Sequence, residues 1–426
     1  MSKVAIIGGC GRQGLRLALI AANKEHHVTS IDIDEERIHE IKQGALPFVE
    51  KNAEIYLEQA ATKKMLTLSM EYDLVNQADI VVITIGTPVD SNLNPSLEPV
   101  AGVIFDIAQY LKPGQLIIFR NTLSPLVIER IKTLLVDKTG LKLGKNLYLA
   151  FAPELTSENS NIHDLLKAPQ AIGTYDEESF RLAEKFFKTI TKGKITHVTP
   201  EEAVLGKLMK NMFAYIQNAC ANEFYLIAEN YGANIYKILD SIKNEASPKQ
   251  EAKNEEATIP PPNPNSAGPG MHKEGWFLVD RMPFAELVTT AFKINENMPS
   301  QIVQKLENYN LSKVVILGMS NKANSDDPRS SLSYKLRKML YYRNYEVGCY
   351  DPFLPEFADS SVLHKADAII LMTAHEDFRD LEKIKNLIKN PDCIFIDING
   401  FWKEFHAEKQ NNKVLQLSKK QNNKRR

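Results

Sequence analysis

The chain has 426 residues, enough for two to three domains at ~150 residues each. Apolar residues make up 43% and charged ones 25%, and 52 Lys plus Arg face 53 Asp plus Glu, for a net charge of -1. Those values exclude an extensively disordered chain, a membrane-embedded one and a globally basic nucleic-acid binder. Cys10, Cys220, Cys349 and Cys393 are too few and too scattered for a disulfide framework or a zinc site. They point to a reducing, cytoplasmic compartment, and no metal ligand set is expected. Met1-Ser2-Lys3 leads at once into Val4-Ala5-Ile6-Ile7, without the pattern of a secretory signal, and no apolar run reaches the ~18 residues of a membrane span.

Short apolar runs at Val4–Ile7, Val28–Ile31, Ile80–Ile85, Leu116–Phe119 and Leu147–Phe151 predict strands. Between them, amphipathic stretches such as Glu36–Lys42 and Leu126–Leu135 predict helices. Buried strands that alternate with helices predict a parallel α/β sheet. From about Thr199 the pattern changes. Pro200 to Gly232 reads as one long helix, with proline and two glutamates at its start and glycine at its end, and a shorter helix follows over Asn234–Ile242. Residues 244–269 are polar and proline-rich. From Lys313 a second α/β unit begins, with strands at Val314–Leu317, Glu346–Tyr350, Ala368–Met372 and Cys393–Ile396 and helices at Ser331–Arg343 and Leu381–Lys389. Residues 407–426 read as a solvated polar tail.

Gly9-Cys10-Gly11-Arg12-Gln13-Gly14 follows the first strand and opens the helix Leu15–Ala22. In this context glycines let the backbone turn tightly and approach a pyrophosphate, to which the helix N-terminus presents unpaired N–H groups. Asp32, at the end of the second strand, is placed to accept the ribose hydroxyls of NAD and to repel the 2′-phosphate of NADP. The competing reading is a glycine turn needed only for packing.

On the long helix, Lys207, Asn211, Asn218 and Asn222 fall within about 60° of one another at ~100° per residue. An exposed face would carry charge, whereas this one is mostly asparagine. It reads either as the wall of a wet site or as a hydrogen-bond network between helices at a subunit contact.

Further motifs occur in a telling order: Gly86-Thr87-Pro88-Val89-Asp90, Asn121-Thr122-Leu123-Ser124-Pro125, Ala152-Pro153-Glu154 with Glu158, Lys207-x-x-x-Asn211, Asn222-Glu223 and Ile294-Asn295-x-x-Met298-Pro299. Leu317-Gly318 with Lys322, Asp326-Asp327 and Arg329, then Tyr350-Asp351-Pro352 and Ala366-Asp367-Ala368, complete the series. From about Lys3 to Trp402 the chain resembles the UDP-glucose/GDP-mannose dehydrogenase family, especially its UDP-N-acetylhexosamine branch. The resemblance implies an N-terminal Rossmann domain for NAD (1–199) and a central helical, dimerising domain (200–305) with an active-site loop at 259–274. A C-terminal Rossmann-like domain for the UDP moiety (306–406) completes the fold. It implies oxidation of a UDP-sugar at C6 in two NAD-dependent steps, a homodimer or larger homo-oligomer, and service in surface-polysaccharide synthesis. By the same resemblance Gly9, Gly11, Arg12, Gln13, Gly14, Asp32, Arg37, Thr87, Thr122, Glu158 and Arg329 would hold NAD. Glu154, Lys207, Asn211 and Lys322 would contact the sugar nucleotide. A lysine ammonium and an asparagine amide one turn apart suit an alkoxide, and Glu154, or a water it positions, would take the proton.

The family's second step uses a cysteine thiolate that traps the aldehyde as a thiohemiacetal on the way to a thioester. Here the best match is Ala267-Gly268-Pro269-Gly270-Met271-His272-Lys273-Glu274, with Gly270 at the position of the cysteine and Lys273 and Glu274 where the family has Lys and Asp. A register anchored on Asp280 places Trp276 there, again without a thiol. Three readings follow: a two-electron oxidoreductase or redox-neutral epimerase, a full 6-dehydrogenase that oxidises the aldehyde hydrate, and a non-catalytic NAD/UDP-sugar-binding subunit.

Overall fold

A computed structural model describes residues 1–89, 95–156, 161–242, 259–266, 268–279, 282 and 285–402. Glu158, residues 246–257 of the polar stretch and the 407–426 tail lie outside the described residues. Contacts divide the chain into two units: 1–212 with 273–284, and 213–272 with 285 onward. Residues 200–305 contribute to both.

The first unit is built on eight strands: β1 (Lys3–Ile7), β2 (His27–Ile31), β3 (Leu66–Ser69), β4 (Ile80–Ile83), β5 (Gln115–Phe119), β6 (Leu147–Phe151), β7 (Gln170–Thr174) and β8 (Ile195–Val198). Their order is β3-β2-β1-β4-β5-β6-β7-β8. The chain moves outward in one direction from β1 and in the other from β4, so the switch point where such sheets bind ligands lies between these two strands. Helix α1 (Arg12–Asn23) follows β1 and α2 (Glu35–Lys42) follows β2.

Two differences from the sequence reading stand out. The fourth strand stops at Ile83 rather than Ile85, because Thr84 turns its hydroxyl back onto the Ile7 carbonyl at 2.8 Å. The sheet is also not wholly parallel, since β6 pairs with β7 antiparallel. A parallel return needs a crossover helix. Among the described residues the connection from Phe151 to Gln170 holds only the four-residue helix Ile162–Leu165.

Both faces of this sheet are covered, which is why its strands read as unbroken apolar runs. One face packs α1 and the helix Glu177–Ile190 over Val4, Ile6, Val82 and Ile118. The other buries Ala5, Ile7, Val81, Ile83 and Phe119 beneath Ile104 and Ile131, together with Val204 and Leu208 of the long helix and Phe277. At roughly 1.5–3 kcal/mol for each fully buried large aliphatic side chain, these layers hold the strand ends in place.

The second unit has four parallel strands, β9 (Lys313–Leu317), β10 (Glu346–Tyr350), β11 (Ala368–Leu371) and β12 (Ile394–Asp397), in the order β10-β9-β11-β12. One face meets Tyr225 and Ala228 from the end of the long helix and Met298, Ile302 and Leu306 from the helix Glu286–Leu306. The other meets Leu363, Ile384, Ile388 and Trp402.

The long helix spans Pro200–Asn230. The active-site loop expected over 259–274 keeps that form only to residue 268. From Pro269 the chain is helical to Val279, with proline in the first helical position, where its missing N–H leaves no bond unmade.

Candidate active site

The glycine turn between β1 and α1 forms where the sequence places it, and its glycines differ in how tightly they are packed. A methyl group on Gly14 would lie 2.2 Å from the Gly8 carbonyl oxygen, and one on Gly9 would lie 2.7 Å from the Ser30 side chain, so both are needed for packing. Gly11 is different: its nearest neighbour would be the Gly8 oxygen at 3.4 Å, an ordinary contact. Packing does not require this glycine, which leaves the space beside it open. Gly11 is also the N-cap of α1 and provides no side-chain cap for the helix amides. Their orphan N–H groups and the positive end of the helix suit a pyrophosphate.

Asp32 lies just past β2, where its Oδ2 accepts the Cys10 amide at 2.9 Å and its Oδ1 the Asp34 amide at 3.2 Å. These bonds orient the carboxylate beside the turn. Arg37 is exposed and pairs with Asp34 at 3.1 Å, and the Arg12 guanidinium stacks over the Phe48 ring at 4.8 Å. Gln13 sits in the first turn of α1.

Thr87 and Thr122, from the loops after β4 and β5, are joined by a hydrogen bond from the Thr87 hydroxyl to the Thr122 carbonyl. Beside them Asn121 is 2% exposed, and neither polar atom of its amide has a hydrogen-bond partner among the described residues. A buried donor and acceptor left open at the carboxyl edge of the sheet fit a polar ligand group there.

The helix of residues 269–279 brings two further side chains to this edge. Lys273 Nζ donates to the Thr87 carbonyl at 2.6 Å, and Glu274, 2% exposed, accepts from the Asn211 amide at 2.7 Å. Asn211 is thereby fixed one turn from Lys207. Lys207 is 5% exposed, yet among the described residues its ammonium makes no hydrogen bond or ion pair. A developing oxyanion beside it would give this charge a partner. Lys210, which sequence reasoning passed over, donates to the Leu155 carbonyl at 2.6 Å. Partial burial, and then the Lys207 charge, push its ammonium below the usual lysine value.

Glu154 does not stand free. It is 2% exposed, and its Oε1 accepts from Arg16 Nη1 at 2.9 Å and from the Thr156 hydroxyl. Its Oε2 faces Arg120 Nη2 at 3.7 Å, and Arg16 also pairs with Glu50 at 3.4 Å. Arg120 donates in addition to the Ala152 carbonyl and to Gln170. Burial works against the Arg120 charge, and Glu154 works to keep it. The partners come from four separate stretches of chain, and sequence spacing gives no signal for them.

No cysteine replaces the missing thiol. Gly270 is half-buried in the first turn of its helix. Burial and the neighbouring Asp32 push the Cys10 thiol up to about 12, and burial pushes Cys349 up to about 11, so both stay protonated at neutral pH. Cys220 lies on the long helix on the side opposite Lys207 and Asn211, at ~100° per residue. Cys393 directly precedes β12.

In the second unit Lys322 is exposed on the loop after β9, and Arg329 forks onto Asp327 through bonds of 2.8 and 2.6 Å. The same loop is tied from beneath by residues that no motif reading assigned. Asp351 accepts the Met319 and Ser320 amides at 2.7 and 2.9 Å and meets His375 Nε2 at 3.1 Å, all fully buried. Asn265 bonds Ser320, Ser331 and Thr373. Asn222, the far end of the polar stripe, is spoken for: it donates to Asn295 at 2.9 Å and accepts the Asn263 amide at 2.8 Å. That half of the stripe is a hydrogen-bond network within one chain; the other half belongs to the site.

No helix among the described residues is long and apolar enough to cross a membrane. Residues 2–191 match the model of the NAD binding domain of the UDP-glucose/GDP-mannose dehydrogenase family, and residues 315–404 match that of its UDP binding domain. A UDP-N-acetyl-D-mannosamine dehydrogenase of Methanocaldococcus jannaschii is 29% identical, over 97% of this chain and 96% of that one. The structure of the UDP-D-ManNAc dehydrogenase from Pyrococcus horikoshii superposes with a TM-score of 0.83 at 27% identity, covering 93% and 96% of the two chains. A UDP-glucose dehydrogenase from Pyrobaculum islandicum shares the fold, with a TM-score of 0.80 at 20% identity over 94% and 98%.

Proposed function

Because this chain belongs to the UDP-glucose/GDP-mannose dehydrogenase family, and so to the NAD-dependent nucleotide-sugar dehydrogenases, we propose that it oxidises the C6 alcohol of a UDP-N-acetylhexosamine and releases it after a single two-electron step. NAD, when bound, supplies the hydride acceptor. Gly9, Gly11 and Gly14 with the start of α1 hold its pyrophosphate, Asp32 and Arg37 its ribose side, and Thr87 and Thr122 the end toward the chemistry. Lys207 and Asn211 stabilise the alkoxide as the C6 hydroxyl loses its proton to a water molecule, and Glu274 holds the Asn211 amide in place for that task. Glu154, enclosed by two guanidiniums, holds the 152–156 loop against the sugar and does not carry the proton to bulk water. The balance is alcohol plus NAD⁺ to aldehyde, NADH and one proton.

What supports the reading is that Lys207 and Asn211 stand in the family's motif while Gly270 stands where the family has its cysteine. The test is stoichiometry: with UDP-N-acetylmannosamine, one NADH forms per sugar consumed and the product has the mass of an aldehyde. Two NADH and a uronic acid reject this reading in favour of direct oxidation of the aldehyde hydrate, for which Gly270 leaves space. No turnover on any UDP-hexose rejects both.

The chain's own shape supports a dimer. Met209, Phe213, Cys220, Phe224, Ile227 and Tyr231 are exposed and fall within about 60° of one another at ~100° per residue. This apolar stripe runs along the long helix opposite the side of Lys207 and Asn211, and a second copy of the same stripe would cover it. Light scattering checks this, and a monomer defeats it. All four cysteines are free, in keeping with a cytoplasmic location.

A further inference from the structure

We propose that Arg16 is a positioning residue, tying the helix that receives the NAD pyrophosphate to the carboxylate of Glu154, so that the two substrates bind cooperatively through it. The inference rests on the functional reading above, in which Glu154 faces the sugar. Its observations are geometric. Arg16 is the fifth residue of α1, a helix whose first residue is Arg12 and whose uncapped N-terminus faces the phosphate turn. Its guanidinium, 3% exposed, reaches across to Glu154 at 2.9 Å and to Glu50 at 3.4 Å. Glu154 in turn meets Arg120, which also bonds the Ala152 carbonyl, so carboxylate and loop backbone are held together. Two guanidiniums and two carboxylates thus form one buried, neutral cluster, in which no member can move without leaving a neighbour's charge uncompensated.

Such a cluster transmits a small displacement without absorbing it. When a pyrophosphate fixes the start of α1, the Arg16 guanidinium is fixed with it, and so is the preferred place of Glu154. By linkage, a sugar nucleotide that prefers the same place of Glu154 must favour NAD binding by an equal factor. A cluster that only stabilises the fold has no such consequence.

The test uses NADH with UDP-N-acetylmannosamine, a pair that cannot exchange a hydride, and reads NADH fluorescence in titrations with and without saturating sugar nucleotide. In the wild type the sugar nucleotide tightens NADH binding by a factor of roughly 5 or more, the lower end of typical coupling. The variant Arg16→Met/Glu50→Gln removes one charge of each sign and leaves Arg120 paired with Glu154. It is expected to melt cooperatively and bind NADH alone as the wild type does, with the coupling factor falling toward one. Should it fail to fold, Arg16→Lys keeps the charge but cannot fork to both carboxylates, and its coupling falls between the two. Unchanged coupling in either folded variant, or none in the wild type, overturns the inference and leaves the functional reading standing. Failure of every UDP-N-acetylhexosamine, UDP-N-acetylmannosamine included, to bind at all overturns both.

Discussion

The Asn211 amide donates to the Glu274 carboxylate across 2.7 Å, and this bond joins the second turn of the 269–279 helix to the stretch of the long helix that carries Lys207, whose ammonium makes no hydrogen bond or ion pair among the described residues. Replacing Asn211 by Ala removes a donor aimed at developing charge and one hydrogen-bond partner of the buried Glu274. The expected loss in kcat is about 10²–10³-fold, by analogy with removing one oxyanion donor. The KM for the sugar nucleotide should change far less, as initial rates of NADH formation will show. A rise in KM with kcat unchanged would place Asn211 in binding alone.

The glycines of the phosphate turn predict a contrast. Gly14→Ala must displace a carbonyl oxygen and is expected to destabilise the fold by about 1–3 kcal/mol. Gly11→Ala meets no hard contact, so its melting temperature should stay at the wild-type value while NADH affinity, read by fluorescence, falls by an order of magnitude or more. Equal affinity for NADH in Gly11→Ala would return the turn to a packing role.

Gly270→Cys restores a thiol in the first turn of its helix. The NADH formed per sugar should rise from one toward two, and a thioester adduct should appear by mass spectrometry of the quenched enzyme. A ratio that stays at one, with the thiol shown to be accessible to alkylation, means that the surrounding site no longer supports the second step.

The second unit should lose stability on the acid side through Asp351. Burial disfavours its carboxylate, but hydrogen bonds from His375 and the Ser320 and Phe353 amides outweigh burial and bring it below its ordinary value of 3.8. A depressed carboxylate adds stability above its unfolded value and loses it as pH falls through the folded one. Melting temperatures between about pH 5 and about pH 2.5 should therefore fall less steeply in Asp351→Asn than in the wild type, from a lower starting point. Parallel curves would remove Asp351 from the account.

Much of this was legible in the sequence because it is local. Val4–Ile7 and Ile80–Ile83 read as strands since helices cover both their faces, and the glycine turn carries its own spacing. The strands β3 and β8 were not legible: Leu66–Ser69 and Ile195–Val198 lie at the edges of the sheet and are half-exposed, so they lack an apolar run. The antiparallel turn of β7 depends on what the connecting segment omits. Of the site, Lys207 and Asn211 were visible as neighbours on one helix. Their surroundings were not, since Glu274 is 63 residues from Asn211 and Arg16 is 138 from Glu154. Pairings at that range follow from topology, which no window of sequence contains.

The long helix has a consequence for how this chain can vary. Lys207 and Asn211 lie on one side of it, Phe213 and Phe224 on the other, and Asn222 is held by Asn263 and Asn295. Inserting or deleting a single residue between Asn211 and Asn222 would turn everything beyond it by ~100°. Asn222 would leave its partners and Phe224 would swing toward the interior. The length of this stretch is fixed, so relatives that keep this chemistry should preserve the eleven-step interval from Asn211 to Asn222 without gaps.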